Sequence, residues 1–149
     1  LLGNWLSGGA SNTGAAILLD FFNLEYIEEL SKQINPNKST ELNLLPLANP
    51  GERFPVDDPN LQPKLYPRPV SDSLYLHALF EGLAKIEARG WRKLNELGAE
   101  LPRQIITIGG GAKNITWKKI REREIGIPIR ICNTPPAAGV ASIALDALS

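Results

Sequence analysis

The stretch Gln104-Ile105-Ile106-Thr107-Ile108-Gly109-Gly110-Gly111-Ala112-Lys113-Asn114 decides the fold expected for this chain. Its first five residues are mostly β-branched and predict a strand. Three glycines then break the strand, and residues 114–125 have the apolar spacing of a helix. Residues 127–132 predict a second strand, and Pro135-Pro136 can open a final helix that runs to Leu148. Strand, helix, strand, helix in this order predicts an α/β layer with parallel strand pairing.

Composition limits the class of protein before any motif is considered. The chain has 149 residues, the size of one domain, and its 16 basic residues balance 16 acidic ones. Zero net charge argues against a nucleic-acid partner, which a basic surface would attract. No apolar run approaches the roughly 18 residues that span a bilayer, so we expect a cytoplasmic protein with no membrane contact. One cysteine and one histidine exclude an intramolecular disulfide and, in effect, a structural zinc site.

Four helices are expected upstream of the decisive stretch. Residues 71–90 predict the clearest one, with Ser71 as its N-cap and Gly90 as its end. A short second helix follows over residues 92–98. Near the start, residues 15–22 suit a buried helix. Asn23 is expected to cap the next helix, whose buried stripe is Leu24, Ile27, Leu30 and Ile34.

The segment between these helices is expected to be a loop. Residues 42–47 suit a short strand, but residues 46–69 hold seven of the twelve prolines, which rule out a helix. Apolar residues within the segment argue against disorder. We therefore expect an ordered loop packed on the domain surface, and a loop of this length often has a function.

The glycines at 109–111 suggest a ligand site. Without side chains, a flat or charged ligand can lie directly against the backbone amides. The N-terminus of the following helix favours negative charge, and ligands of open α/β sheets bind beyond the carboxyl ends of strands. These arguments point to a nucleotide, but a tight turn without a ligand is about equally compatible with the pattern. The spacing matches neither a P-loop nor the dinucleotide fingerprint.

A second run of small residues, 7–14, also precedes a predicted helix, and Ser11, Asn12 or Thr13 could cap it. It could form a second wall of the same ligand cleft. Taken alone, it is better explained as a closely packed helix start.

Other polar residues have simpler explanations. The turn at residues 51–55, with Glu52 beside Arg53, is best interpreted as a solvated loop, and Asp57-Asp58 is not expected to bind a metal. His77 is expected to be a partly buried structural histidine, and Cys132 a small hydrophobic residue. The three tryptophans, Trp5, Trp91 and Trp117, are assigned to packing.

Taken together, three segments resemble the FGGY carbohydrate kinases. They are Gly51-Glu52-Arg53-Phe54-Pro55 with Asp57-Asp58-Pro59, the helix containing Leu79-Phe80-Glu81-Gly82-Leu83-Ala84, and residues 106–114. Residues 136–141 resemble the closing helix of that family, and Ser7-Gly8-Gly9-Ala10 also fits. The likeness covers nearly the whole chain. It is greatest to D-ribulose and D-xylulose kinases of cyanobacteria and plants, so a plastid location is also compatible.

The resemblance implies a fold and a set of nucleotide-binding residues. These kinases have two domains of the actin-like ATPase fold, each built on a ribonuclease-H-like sheet, and residues 1–149 resemble the C-terminal, nucleotide-binding domain. Gly9 and Thr13 match two family positions that contact ATP, the second commonly Gln. Gly110 and Asn114 match two more. Gly111 and Ala112 would line the adenosine face.

The resemblance also implies the reaction. An aspartate deprotonates a sugar hydroxyl, which attacks the γ-phosphoryl group of ATP while Mg²⁺ shields the developing charge. From the resemblance, we expect that base to lie upstream of Leu1, in the N-terminal domain. We therefore expect this chain to bind ATP or ADP weakly. Without that domain we do not expect it to phosphorylate its sugar, which the resemblance implies is a pentulose. A non-catalytic nucleotide-sensing or interaction module of the same fold is the alternative, and a small α/β domain without a ligand is a third.

Overall fold

The long helix α2, Asp72–Glu96, is the centre of the fold in the computed structural model, which describes residues 7–132. Ser71 caps it, because its side chain accepts a hydrogen bond from the backbone N–H of Leu74. The buried side chains of α2 include Leu76, Leu79 and Phe80, which join the main hydrophobic core. An amphipathic helix is stabilised mainly by burying such an apolar face.

The helix α2 continues through the residue that was expected to end it. Gly90 is buried within α2, and residues 92–96 belong to the same helix rather than to a second one, so both predictions are wrong. A Cβ at Gly90 would lie 3.0 Å from Cε1 of Phe54. This glycine is therefore explained by the close approach of a ring, whereas the turn after the helix contains Gly98 with φ of 100°.

Two shorter elements pack on α2 from the N-terminal side. Residues Ala15–Asp20 form a 3₁₀ helix, so the longer helix expected over residues 15–22 is not present. No side chain caps it. The helix α1, Leu24–Ser31, is capped by Asn23 as predicted. Its buried stripe contains Ile27 and Leu30, with Ile34 just beyond the helix, but Leu24 is 69% exposed.

The predicted strand–helix–strand unit is confirmed. Strand β1, Ile105–Thr107, pairs in parallel with β2, Ile129–Ile131, and helix α3, Ile115–Ile125, connects them. Asn114 caps α3, and Gly126, with φ of 78°, ends it. The helix packs on α2, which buries Ile120 completely. Arg121 is also buried, although charged side chains are mostly exposed.

The proline-rich segment is an ordered loop, as predicted. It contains two isolated antiparallel bridges, Leu45 with Lys64 and Glu52 with Asp58, and no strand forms at residues 42–47. The peptide bonds before Pro55 and Pro67 are cis. Leu44 and Leu47 are buried, so the loop contributes to the core.

Trp5 and the final helix predicted from Pro135 lie outside the described residues. Within residues 7–132, none of the helices has the length and apolar character needed to cross a membrane.

Candidate functional site

The two glycine-rich stretches meet at one cavity of about 600 Å³, here called the first cavity. The stretch near the N-terminus contributes Gly9 and Thr13, and the stretch after β1 contributes Gly110, Gly111 and Ala112. These positions are about 100 residues apart in the chain. The interpretation of residues 7–14 as only a closely packed helix start is therefore incomplete, because this segment also forms a wall of the cavity that Gly110 and Gly111 line.

The backbone at Gly110 is open to the first cavity. A Cβ placed there would have no heavy atom within 4 Å. Gly109, with φ of 99°, makes the turn out of β1, a conformation that L side chains rarely adopt. A ligand can thus approach the main chain at Gly110 without displacing any described side chain.

Gly9 has the opposite environment. A Cβ there would lie 2.5 Å from Cδ1 of Phe54, so the absence of a side chain lets the Phe54 ring pack against the backbone. Phe54 also lines the first cavity. The loop at residues 51–55 is therefore part of the site.

A buried carboxylate attaches this loop to the first glycine-rich stretch. Glu52 is 3% exposed, so the solvated-loop interpretation is wrong for this residue. It accepts hydrogen bonds from Ser11 Oγ at 2.5 Å and from the backbone N–H of Asn12 at 2.7 Å. It also accepts from the N–H groups of Arg53 and Phe54. Burial raises the pKa of the Glu52 carboxyl, but these four bonds outweigh burial and hold the pKa below its usual value.

Thr13 is also held by the loop. Its hydroxyl donates to the carbonyl of Pro46 at 2.5 Å. The predicted contact of Thr13 with a nucleotide stays a prediction. The Thr13 hydroxyl can still accept a hydrogen bond from a ligand, but it could donate one only by giving up its bond to Pro46.

Asn114 lies at a second cavity of about 540 Å³, which shares Gly110, Gly111 and Trp117 with the first. Both ends of its side chain are engaged. Oδ1 accepts from the backbone N–H of Trp117 at 2.9 Å, and Nδ2 donates to Ser31 Oγ at 2.8 Å. Asn114 therefore has a structural role as the cap of α3, and its predicted role toward a nucleotide stays a prediction.

The first cavity is bordered by an ion pair, which the sequence pattern did not reveal. Arg121 donates to both carboxylate oxygens of Glu87, at 2.7 and 2.8 Å, and to Thr107 Oγ1 at 2.9 Å. Such a bidentate pair fixes both side chains. Glu87 and Arg121 are the charged residues that line the cavity in the described part, so their charges compensate each other.

Trp117 separates the two cavities. Its ring stacks on Phe80 with centroids 5.6 Å apart and planes 8° from parallel, which confirms the packing assignment. A Cβ at Gly111 would lie 2.5 Å from Cζ3 of Trp117. The missing side chain at Gly111 therefore lets the Trp117 ring pack against the main chain, whereas no other described residue fills the space beside Gly110.

His77 is buried, as expected of a structural histidine, and it borders neither cavity. Asp57 and Asp58 also border neither cavity. Among residues 7–132, no group of three or more His, Cys, Asp or Glu side chains is arranged to hold a metal ion.

Comparison with solved structures shows that the described residues share their fold with part of a sugar kinase. The structure concerned is the xylulose kinase from Bifidobacterium adolescentis, with a TM-score of 0.67 and 22% sequence identity. The match covers 84% of this chain but 26% of the xylulose kinase, so this chain corresponds to about a quarter of that protein. No model of a known protein family matches the sequence.

Proposed function

We propose that this chain supplies the nucleotide-binding part of an ATP-dependent sugar kinase of the FGGY type. The observation that carries the proposal is the meeting of two distant glycine-rich stretches at one cavity, in a fold shared with part of a xylulose kinase. Pentuloses such as D-ribulose or D-xylulose are the proposed sugars. The sugar-binding domain and the catalytic base are proposed to belong to another part of the same protein.

The open backbone at Gly110 fits a nucleotide. A Cβ at Gly110 would have no heavy atom of the described part of the chain within 4 Å, so a planar or phosphorylated group can come close to the main chain there. The compensated Glu87–Arg121 pair would leave little net charge in the first cavity, which suits the nucleoside end of the ligand better than its phosphates. Mg²⁺ would be bound largely through those phosphates and water, as is usual for this ion.

In this proposal the residues of the chain bind and orient the nucleotide. ATP supplies the phosphoryl group when bound, and catalysis of this reaction depends mainly on positioning and charge stabilisation. Gly110 would present open backbone, and Gly9, packed against Phe54, would contact the nucleotide from the other wall. Gly111 and Ala112 would line the adenosine face, and Thr13 and Asn114 would contribute polar atoms at the margins.

Isothermal titration of the whole protein with ADP and Mg²⁺ tests the proposal. Gly110→Asp places a carboxylate in the open space at Gly110, where it would fill the ligand position and repel phosphate. We expect it to weaken ADP binding at least about tenfold, equivalent to about 1.4 kcal/mol.

Val70→Asp is the matched control, because Val70 is fully exposed and borders neither cavity. It adds the same charge and should leave the affinity unchanged. Equal ADP affinity in the wild type and Gly110→Asp would refute the assigned site. Binding of ADP without sugar phosphorylation by the whole protein would instead favour a nucleotide-sensing module.

A further inference from the structure

Glu52 lies outside the first cavity but contacts the segment that forms one of its walls. Residues 7–14 contain no regular helix or strand before the 3₁₀ helix begins at Ala15. Glycines and small residues give such a segment many alternative conformations in the absence of other contacts. Its position must therefore come from contacts with the rest of the protein.

Those contacts come largely from one loop. The Glu52 carboxylate accepts from Ser11 Oγ and Asn12 N–H, and the carbonyl of Gly51 accepts from Asn12 Nδ2 at 3.2 Å. Arg53 Nε donates to Asn12 Oδ1 at 2.6 Å. Both ends of the Asn12 side chain are thus bound by the two residues on either side of Glu52.

Glu52 organises its own loop with the same carboxylate. Oε1 accepts from the N–H groups of Arg53 and Phe54, and this turn directs the Phe54 ring between Gly9 and Gly90. Hydrogen bonds to a charged acceptor are stronger than those between neutral groups. One buried carboxylate therefore joins the loop, the glycine-rich wall and, through Phe54, helix α2.

We propose that Glu52 is a positioning residue for nucleotide binding, acting through Ser11 and Asn12 to hold Gly9 and Thr13 at the first cavity. This inference rests on the proposed function, since it assumes that a nucleotide binds there. Glu52 itself would not touch the ligand. The effect of losing it should appear as weaker binding by protein that is still fully folded.

The test compares Glu52→Ala and Glu52→Gln with a second buried carboxylate. Glu81 is 2% exposed and accepts from Thr40 and Arg123, and it lines neither cavity. Glu81→Gln should lower the unfolding temperature and leave ADP affinity unchanged. Titrations are made on the whole protein well below its unfolding midpoint, so that every variant is folded.

We expect Glu52→Ala to weaken ADP binding at least tenfold, and Glu52→Gln to retain part of the affinity because its amide oxygen can still accept from the backbone. Unchanged affinity in Glu52→Ala would overturn the proposal. An equal loss of ADP affinity in Glu81→Gln would also overturn the proposal, because the loss would then come from a general fall in stability rather than from the position of the wall.

Hydrogen exchange separates this inference from the proposed function. Without any nucleotide, Glu52→Ala should accelerate exchange across residues 8–14, and Glu81→Gln should not. If the wild type binds no ADP, the proposed function fails, and an unchanged exchange pattern in Glu52→Ala would independently show that Glu52 does not hold this wall. If the wild type binds no ADP but Glu52→Ala still exchanges faster, the result supports the role of Glu52 in holding this wall and not the nucleotide-binding function.

Discussion

At the residue scale, the glycines of this protein have two different purposes. Gly110 provides open backbone, whereas Gly9 and Gly111 are places where the rings of Phe54 and Trp117 approach the main chain. Sequence alone does not distinguish these uses, because both need the same missing side chain. The distinction depends on which distant ring folds against each glycine.

Asn114 gives a prediction at this scale. Asn114→Ala removes the cap of α3 and the hydrogen bond to Ser31, so we expect the free energy of unfolding to fall by about 1–2 kcal/mol. Asn114→Ser keeps a capping oxygen and should lose about half as much. Urea denaturation measures both. Equal stabilities of the Ala and Ser variants would contradict the capping role.

His77 gives a second prediction, because it is buried beside ionised groups. Its Nε2 lies 3.5 Å from Glu81 Oε1 and has no hydrogen-bond partner among the described residues. Burial lowers the pKa of His77, and Arg123 adds to this, while Glu81 and a hydrogen bond with the backbone of Lys38 oppose it. The pKa in the folded protein is thus below the value of about 6.5 in the unfolded chain.

It follows that His77 contributes stability above about pH 6.5, which is lost as the pH falls toward the pKa of the folded state. The unfolding free energy should therefore decrease as the pH falls below about 6.5, with a slope of at most about 1.4 kcal/mol per pH unit for one proton. His77→Gln should reduce this slope in denaturation experiments across the same range. Retention of the full slope would assign the effect to another group.

At the scale of elements, α2 shows how contacts override propensity. Glycine inside a helix costs about 1 kcal/mol relative to alanine, yet α2 contains Gly82 and Gly90. A Cβ at Gly82 would lie 2.6 Å from Cδ of Pro46 and 2.8 Å from the carbonyl oxygen of Leu44. The loop backbone passes directly over the helix at this point, so the glycine is needed for packing.

Gly82→Ala is accordingly expected to destabilise the protein by about 1–3 kcal/mol, although alanine is the better helix former. Gly90→Ala meets only the edge of the Phe54 ring at 3.0 Å and should change stability less. Thermal or urea unfolding compares the two variants. A stabilising effect of Gly82→Ala would show that the loop can move away from α2 at little cost.

At the scale of the whole molecule, buried carboxylates join distant segments. Glu52 links the loop to the first glycine-rich stretch, and Glu81 links α2 to Thr40 and to Arg123 of α3. For Glu81, burial raises the pKa, but the bonds from Thr40 and Arg123 outweigh burial and hold the pKa below its usual value. Each carboxylate is charged at neutral pH and satisfied by donors from about 40 residues away.

Local patterns were sufficient for much of the architecture. The caps at Asn23 and Ser71 and the parallel strand–helix–strand unit follow from side-chain chemistry and periodicity over a few residues. The C-terminal end of α2 and the buried position of Arg121 could not be predicted, because they depend on partners such as Phe54 and Glu87 that are far away in the chain.

The amino-acid order was thus enough to predict the α/β class and to single out two glycine-rich stretches, since turns, caps and strand periodicity are short-range properties. The folded chain decided that both stretches border one cavity and that Glu52 is buried between them. It also decided which glycine stays open. These outcomes arise from packing between segments 40 to 100 residues apart, and no local pattern encodes which side chains meet across that distance.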